Sequence, residues 1–272
     1  MKYDPIKRSL GKVFNRTPFL RIIFYKLLDL LLLRSWHIRK ALRKVGPLNS
    51  NQSILDAGSG FGQYVYWMSR FFKNSTILGV DVKSEQIEDC NRFFQQIREE
   101  ERVQFQYADL TKFEDKDRFS LILSVDVMEH IEEDQQVFHH FYHSLKDGGT
   151  ILISTPSDQG GSDAHEHDHE EDAHGFIDEH VRDGYGIQDI TEKLTKAGFH
   201  SIDASFSYGK AGKISWKLSM KYPILMLGFS QLLFVFLPIY YLVVFPLCLV
   251  FNFIDLIKTH KSGSGLIVVA KK

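Results

Sequence analysis

A short apolar stretch followed by three glycines, at residues 54–62, decides the fold of this chain. It reads Ile54-Leu55-Asp56-Ala57-Gly58-Ser59-Gly60-Phe61-Gly62. An apolar strand leads to an acid, glycines follow at alternate positions, and a helical stretch begins directly after them. Glycines let the backbone turn tightly and approach a ligand, and the start of a helix presents free N–H donors. The dinucleotide fingerprint is not met, because Gln63 stands where it requires a third glycine.

Beyond this loop, short apolar runs alternate with helical stretches. The predicted strands are Ser53–Ala57, Thr76–Val80, Val103–Tyr107, Phe119–Val125, Thr150–Ser154, His200–Phe206 and Leu266–Ala270. The predicted helices between them lie at about 63–73, 84–100, 132–146 and 187–197. This alternation predicts an α/β fold with a parallel sheet covered on both faces. Ligands in such sheets bind beyond the carboxyl ends of the strands.

Acidic residues stand at the carboxyl ends of the first three predicted strands. Asp56 precedes the glycines, Asp81 closes the second strand and Asp109 follows the third. Beside free N–H groups, Asp56 suits the ammonium of a zwitterionic amino acid. Asp81 suits a pair of ribose hydroxyls, and Asp109 suits an adenine amino group. Each acid could instead cap a helix or form a turn, but three in register at successive strand ends favour a ligand site.

Together with four further segments, these features resemble the class I S-adenosylmethionine-dependent methyltransferases, in the subgroup of the ubiquinone-biosynthesis O-methyltransferases. The segments are Ala108-Asp109-Leu110, Asp126-Val127-Met128-Glu129-His130, Leu145-Lys146-Asp147-Gly148-Gly149-Thr150 and Glu179-His180-Val181-Arg182. The resemblance spans about residues 40–210 and the last strand. It implies a Rossmann-like, doubly wound sheet of seven strands whose last strand is antiparallel and inserted beside the sixth. It also implies S-adenosylmethionine as cofactor, bound by Asp56, Ala57, Gly58, Gly60, Gly62, Asp81, Val82, Asp109 and Leu110.

Two histidines are the candidate catalytic bases. His130 follows the fourth strand, where the resemblance implies the reactive methyl group, and His180 belongs to the Glu-His-Val-Arg stretch. A histidine titrates near neutral pH and can deprotonate a hydroxyl, which together with the resemblance favours O-methylation. Alternatively, Glu129 and His130 only shape the wall of the pocket. The subgroup associates a divalent cation with this region, but Asp126 stands where its pattern has Glu, which leaves a metal an open question.

A histidine-rich acidic loop follows the fifth strand, at Asp163–His174. It could be a solvated lid over the site, a source of a base or substrate contact, or a transition-metal site. The loop contains no Cys and lacks the ligand spacing of a structural zinc site. The lid is therefore the favoured interpretation.

The segment Tyr222–Ile257 is almost entirely apolar. The strands on either side must join one sheet, so the chain must return to the side that it left. Two membrane crossings need about forty apolar residues, more than this segment supplies. We therefore expect a helical hairpin, bent near Pro238, that lies in one leaflet, with the lysines at both ends on the cytoplasmic face. The alternatives are a dimer interface and a cap over an apolar pocket.

The net charge of −1 conceals a basic N-terminal segment, since residues 1–46 carry twelve Lys or Arg against two Asp. Residues 19–45 have the pattern of one long amphipathic helix, with Arg21 and Arg39 on its basic side, ended by Gly46-Pro47. This helix could bind an anionic membrane surface or simply be solvated. Nucleic acid is disfavoured as a partner, because no base-binding motif follows the fourth strand. Two distant cysteines predict no disulfide framework and a reducing compartment.

The predicted organisation has four parts. A basic helix occupies 1–46, the cofactor-binding core 47–210, an apolar membrane-associating insertion 211–261, and the last core strand 262–272. The predicted activity is S-adenosylmethionine-dependent methylation of a hydrophobic acceptor, such as a quinone, phenol or lipid, on the cytoplasmic face of a membrane. The alternatives are a soluble small-molecule or protein methyltransferase that dimerises through the insertion, and a non-catalytic lipid-binding relative.

Overall fold

Seven strands form one mixed sheet in the computed structural model, which describes residues 17–46, 51–160 and 181–272. The strands are β1 (Ser53–Ala57), β2 (Thr76–Asp81), β3 (Val103–Tyr107), β4 (Phe119–Val125), β5 (Leu145–Pro156), β6 (His200–Ser207) and β7 (Gly265–Lys271). Their order is β3-β2-β1-β4-β5-β7-β6, and β7 runs antiparallel to both of its neighbours. The predicted fold is confirmed, including the antiparallel last strand inserted beside β6.

Helices cover both faces of this sheet, as its continuous apolar strands require. They include α3 (Gln63–Phe71), α4 (Ser84–Gln96), α5 (Asp134–Ser144) and α6 (Ile187–Ala197). Adjacent residues of β4 pack into two different hydrophobic clusters. Ile122 belongs to the cluster that includes residues of α5 and α6. Leu123 belongs to the cluster that includes residues of α3 and α4. The strand order reverses between β1 and β4, so their carboxyl ends border the crevice in which such sheets bind ligands.

Several element boundaries differ from the prediction. The helix predicted at 84–100 ends at Gln96, because the chain turns and Arg98 adopts a φ of +59°. Strand β5 begins at Leu145 instead of Thr150, since Leu145 pairs with Phe119 before a register shift. Residues 145–149, which the sequence placed before the strand, are therefore part of it.

The single N-terminal helix predicted over 19–45 is wrong. The structure has two helices, α1 (Pro18–Leu31) and α2 (Leu33–Val45), separated by Leu32 in an extended conformation. Helix α1 buries a face containing Arg21, and α2 buries a face containing Ile38. On one straight helix these two faces would point about a third of a turn apart, so the break lets both face the core. Arg21, predicted on the basic outer side, is therefore buried.

A helical hairpin connects β6 to β7. Its first arm comprises α7 (Lys210–Trp216), a π-helical turn (Lys217–Lys221) and α8 (Tyr222–Phe229). A 3₁₀ segment (Gln231–Phe236) turns the chain into the second arm, α9 (Leu237–Ile257). The hydroxyls of Tyr240 and Tyr241 each donate, over 2.7 Å, to a carbonyl oxygen of the π-helical turn. The hairpin thus begins twelve residues before the predicted apolar segment, and its bend precedes Pro238, which stands in the first turn of α9.

Candidate active site

The glycine loop wraps around the carboxyl ends of β1 and β2. The N–H groups of Gly58 and Ser59 both donate to the carbonyl oxygen of Val80, each over 2.9 Å. Gly58, Gly60 and Gly62 have φ angles of +82°, +51° and +80°, a region that side chains rarely adopt. A Cβ at Gly58 would lie 2.2 Å from a methyl carbon of Val127. Glycine at this position is therefore required both by the turn and by the close approach of the loop after β4.

Asp56 is the most unusual acid of the site. It lies one residue before the end of β1, is 1% exposed, and has one carboxylate oxygen, Oδ2, without a hydrogen-bond partner among the described residues. Burial, together with the nearby charge of Asp81, raises the pKa of Asp56 to about 8. A buried carboxylate oxygen left unpaired beside a glycine loop is suited to a cationic ligand group. This environment fits the predicted contact with an ammonium.

Asp81 holds the glycine loop from the end of β2. Its Oδ2 accepts a hydrogen bond from the Gly60 N–H over 2.9 Å, and its Oδ1 accepts one from the Lys83 N–H over 2.9 Å. Each carboxylate oxygen can accept a further bond, so both oxygens can still bind ligand hydroxyls. Val82, the next residue, exposes 56% of its surface beside them. The structure therefore brings Asp56, the three glycines and Asp81 into one site.

Asp109 lies one strand further along the same edge. Its Oδ1 accepts hydrogen bonds from the Thr111 N–H (3.0 Å) and hydroxyl (2.7 Å), which lower its pKa. This is the turn role that the sequence left open, although the side chain remains 37% exposed and can accept further bonds. The preceding Ala108 N–H bonds the Asp81 carbonyl oxygen over 3.1 Å, and Leu110 is buried. Asp109 thus borders the same crevice.

Two residues of α1 that the sequence did not suggest hold the glycine loop from behind. The Arg21 guanidinium donates to the carbonyl oxygens of Phe61 (2.9 Å) and Asp89 (3.0 Å) and to the Tyr25 hydroxyl (2.7 Å). The Tyr25 hydroxyl in turn donates to the Phe61 carbonyl oxygen. Both side chains are buried. The only local signal was their four-residue spacing on a helix, which is too common to identify a site.

The loop after β4 forms the opposite wall of the crevice. Asp126 has a φ of +51°, uncommon for a residue with a side chain, and pairs with Arg34 of α2. A 3₁₀ turn (Met128–His130) follows. Glu129 is buried and accepts a hydrogen bond from the Thr155 hydroxyl over 3.1 Å; burial raises its pKa. His130 is exposed beside it. The structure therefore places one candidate base at this wall, next to a buried carboxyl group.

The other candidate catalytic residue, His180, and the histidine-rich loop at 163–174 lie outside the described residues. The described chain resumes at Val181, whose N–H donates to the Glu129 carbonyl oxygen over 3.0 Å. Arg182 pairs with Asp134 and donates to the Ile131 carbonyl oxygen over 2.6 Å. Within residues 17–46, 51–160 and 181–272, no three His, Cys, Asp or Glu side chains are grouped so as to hold a metal ion. The divalent metal that the sequence left as an open question is not tested by these residues.

Known proteins share this fold. Residues 48–204, more than half of the chain, match the family described as methyltransferase domain. The chain belongs to this methyltransferase family. It is similar to phosphoethanolamine N-methyltransferase 1 of Triticum aestivum, with 27% identity over 158 residues, 58% of this chain and 30% of the relative. Sterol 24-C-methyltransferase of Kluyveromyces lactis is 23% identical over 171 residues, 62% of this chain and 46% of the relative.

The solved structures extend the likeness to the whole fold. Phosphoethanolamine N-methyltransferase 2 of Haemonchus contortus, in complex with S-adenosyl-L-methionine, matches with a TM-score of 0.61 at 18% identity, over 97% of this chain and 59% of that chain. An S-adenosylmethionine-dependent methyltransferase of Mesorhizobium loti matches with a TM-score of 0.56 at 17% identity, over 89% of this chain and 100% of that chain. The present chain spans less than half the length of the two curated relatives described above.

S-adenosylmethionine is the cofactor of this family, and the residues of the crevice fit it. The unpaired Asp56 oxygen suits its ammonium, the glycine loop allows close backbone approach, and Asp81 has acceptor capacity for its ribose. The assignment of each contact to one residue remains a prediction.

Proposed function

We propose that this methyltransferase transfers the methyl group of S-adenosylmethionine to a hydrophobic acceptor at a membrane surface. The observation that carries the proposal is the exposed apolar surface of the hairpin. Along α9 the exposed side chains are Ile239, Leu242, Val243, Leu247, Val250, Phe253 and Ile257, each more than half exposed. They recur every three to four residues and so form one continuous stripe. We call this surface the apolar stripe.

Water is an unfavourable environment for such a stripe. Burying one large apolar side chain stabilises by about 1.5–3 kcal/mol, so the stripe as a whole favours transfer into an apolar phase. The segment Leu233–Ile257 is the one helix of the described residues long and apolar enough to cross a membrane, and 6% of its most apolar window is buried. A core helix of a soluble domain would be mostly buried. These facts support insertion into lipid.

The lysines of the first arm limit how deep the hairpin can go. Lys210, Lys213, Lys217 and Lys221 recur along it at helical spacing. Within the first arm only α8, eight residues or about 12 Å, lies beyond Lys221, whereas the hydrocarbon core is about 30 Å thick. Deeper insertion would take ammonium groups into hydrocarbon, at a cost of about 3 kcal/mol each. A hairpin that stays within the cytoplasmic leaflet places the apolar stripe of α9 in lipid and keeps the lysines of the first arm at the headgroups.

The chemistry that we propose is O-methylation. The bound cofactor supplies an electrophilic methyl group on a sulfonium centre. Asp56 would hold its ammonium, and Asp81 would orient its ribose. The acceptor hydroxyl would enter between the glycine loop and the 3₁₀ turn, where His130 can take its proton. The buried Glu129, bonded to Thr155, keeps this turn in place.

A second candidate acceptor is an amine, and the names of the relatives carry this candidate, because Asp126 at the crevice wall is already paired with Arg34. Relatives of the chain are named for N-methylation of phosphoethanolamine and C-methylation of a sterol. Incubating the protein and labelled cofactor with lipid extracts, followed by mass spectrometry of labelled products, identifies the methylated atom. Label on nitrogen or carbon would contradict O-methylation.

Liposome flotation tests the membrane attachment. The variant Leu242→Ser/Leu247→Ser/Val250→Ser interrupts the apolar stripe and should lose flotation while retaining cofactor binding. The matched control is Phe71→Ser, which removes an exposed apolar side chain of α3 far from the hairpin in sequence. Equal flotation of all three proteins would contradict the proposal. A wild-type dimer that the stripe variant converts to a monomer, without flotation of either, would instead favour the dimer interface.

A further inference from the structure

A basic groove runs along one face of β6 and β7, from the amino ends of β1 and β4 to the base of the hairpin. Its walls include Gln52, Ser120 and Lys146, which stand at or next to the amino ends of β1, β4 and β5. The glycine loop and Asp81 stand at the carboxyl ends of the strands. The groove has a volume of about 860 Å³, well above that of a single phosphate and within the range of ligand sites. It is therefore a second concave surface, separate from the crevice that holds S-adenosylmethionine.

The lining of the groove is strongly cationic. Five lysines line it, namely Lys40, Lys44, Lys146, Lys258 and Lys271. Two acids, Asp147 and Asp203, oppose them. The whole chain carries a net charge of only −1, so this local excess of positive charge is not a property of the surface in general. A concave site with one sign of charge concentrates ligands of the opposite sign.

Hydrogen-bond donors complete the lining. The hydroxyls of Ser201, Ser205 and Thr259 and the backbone at Gly148-Gly149 border the same space. Ammonium groups and hydroxyls together are the donors that a phosphate group uses. An anion that carries phosphate and a polar organic part would occupy both the charge and the volume of the groove.

The groove is continuous with the hairpin. The residues that end α9 and follow it, Leu256 and Lys258 to His260, form part of its wall. Lys40 of α2 donates to the Leu256 carbonyl oxygen. The apolar stripe ends at Ile257, between these wall residues. An anion in the groove would thus lie at the end of the surface that enters the lipid.

A buried carboxylate makes the groove and the base of the hairpin one rigid unit. Asp255 is fully buried and pairs with His37 (2.9 Å) and His260 (3.3 Å), which both line the groove. It also accepts hydrogen bonds from the N–H groups of Gly212 (2.9 Å) and Tyr208 (3.2 Å). Helix α2, both arms of the hairpin and the end of β6 therefore meet at one side chain. The position of the stripe fixes the position of the groove.

We propose that the groove binds the phosphate-bearing headgroup of an anionic lipid, and so selects the membrane on which the methyltransferase acts. The inference rests on the membrane attachment proposed above. The apolar stripe supplies attachment to any bilayer, and the groove adds preference for one with negative surface charge. Two such weak attachments on one rigid body bind much more tightly than either alone.

Vesicle sedimentation with the full chain tests the proposal. The vesicles are phosphatidylcholine alone, or phosphatidylcholine mixed with phosphatidylglycerol. The groove variant is Lys44→Gln/Lys258→Gln/Lys271→Gln, and the matched control is Lys73→Gln/Lys116→Gln/Lys196→Gln, which removes the same charge from exposed lysines outside the groove. Wild type and control should bind the mixed vesicles at least about tenfold more tightly than the neutral ones, and the groove variant should lose that difference.

The remaining outcomes separate this proposal from the membrane proposal. If the groove variant and the control lost the preference for mixed vesicles equally, the proposed lipid-binding role of the groove would be overturned, since only overall charge would then matter. Binding of wild type to neutral vesicles without preference for the mixed ones would overturn the groove but keep the membrane attachment. No binding to either vesicle overturns both. Calorimetry with glycerol 3-phosphate tests whether the groove binds a free phosphate compound instead of a lipid headgroup. Tight binding of this anion by a protein that shows no preference for the mixed vesicles would assign the groove to such a compound and overturn the proposal.

Discussion

Asp56 decides the character of the cofactor site at the scale of one residue. A carboxylate that is buried without a partner is unstable as an anion, which is why its pKa rises to about 8. Pairing with a ligand ammonium would restore the charge and supply the missing contact of its Oδ2. The free protein therefore holds a proton at this position that cofactor binding should release.

The first prediction concerns Asp56→Asn in the cofactor-free protein. The folded-state pKa of about 8 lies far above the ordinary aspartate value of about 4, so folding takes up a proton between these pH values. The free energy of unfolding of the wild type therefore falls as pH rises from about 4 to about 8. The variant should lack this decrease and be more stable above about pH 8, by at most about 6 kcal/mol. It should also bind the cofactor more weakly. Urea unfolding across this pH range measures the difference.

Asp147→Asn is the matched control for that measurement, because Asp147 is exposed. It should reproduce the pH dependence of the wild type. A slope in Asp56→Asn equal to that of the wild type would show that Asp56 is ionised in the folded protein at neutral pH.

The second prediction separates backbone strain from collision at the glycine loop. Gly58→Ala introduces a Cβ that would lie 2.2 Å from Val127, at a φ of +82°. Gly148→Ala shares the positive φ, +73°, but its Cβ would meet no described atom within 4 Å. The Gly148 variant should lose only the stability that backbone strain costs, about 1–2 kcal/mol, and should bind cofactor normally. The Gly58 variant should lose more stability and at least about tenfold in affinity for S-adenosylhomocysteine, measured by calorimetry. Equal losses of affinity would contradict this.

At the scale of elements, the break at Leu32 determines what the N-terminal helices do. It allows α1 to reach the glycine loop through Arg21 and Tyr25, while α2 packs on the sheet and pairs Arg34 with Asp126. The two helices therefore contact both walls of the crevice. The basic segment, for which the sequence left a membrane surface or solvent as its surroundings, thus also contributes side chains to the site.

The third prediction tests this role of α1. Tyr25→Phe removes the hydroxyl that donates to the Phe61 carbonyl oxygen and leaves Arg21 without one acceptor. Losing this bond should cost about 1 kcal/mol of cofactor binding, or about fivefold in Kd. Tyr142→Phe, in α5 and away from the loop, is the control and should bind as the wild type does. Unchanged affinity in Tyr25→Phe would mean that α1 packs against the loop without positioning it.

At the scale of the whole molecule, Asp255 connects the parts that the two proposals use. The hairpin, α2 and the end of β6 all meet at its carboxylate. Burial acts to raise the pKa of Asp255, but hydrogen bonds and charges from His37, His260 and Gly212 outweigh it and lower the pKa. The stabilisation that follows is present above the unfolded pKa and is lost as pH falls through the lower, folded-state pKa.

The fourth prediction follows from that network. Asp255→Asn leaves the surrounding donors without a charged partner and should lower the free energy of unfolding by about 3 kcal/mol at neutral pH. The loss should shrink in acid, because there the wild-type carboxyl is protonated as well. Urea unfolding of the variant and of Asp183→Asn, an exposed control, measures this. A loss that stays constant into acid would contradict the assigned charge.

The sequence by itself determined the fold and the chemical class of the site. The glycine spacing and the acids after β1, β2 and β3 are local consequences of backbone geometry, which period and residue type reveal. The tertiary structure alone decided which distant residues complete the site. Arg21 and Tyr25 contact the glycine loop across 36 to 40 residues of sequence, and Lys40, Lys146 and Lys258 share a groove although each lies in a different element. Local patterns record hydrophobic period and turns, whereas such contacts depend on how helices pack after the chain has folded.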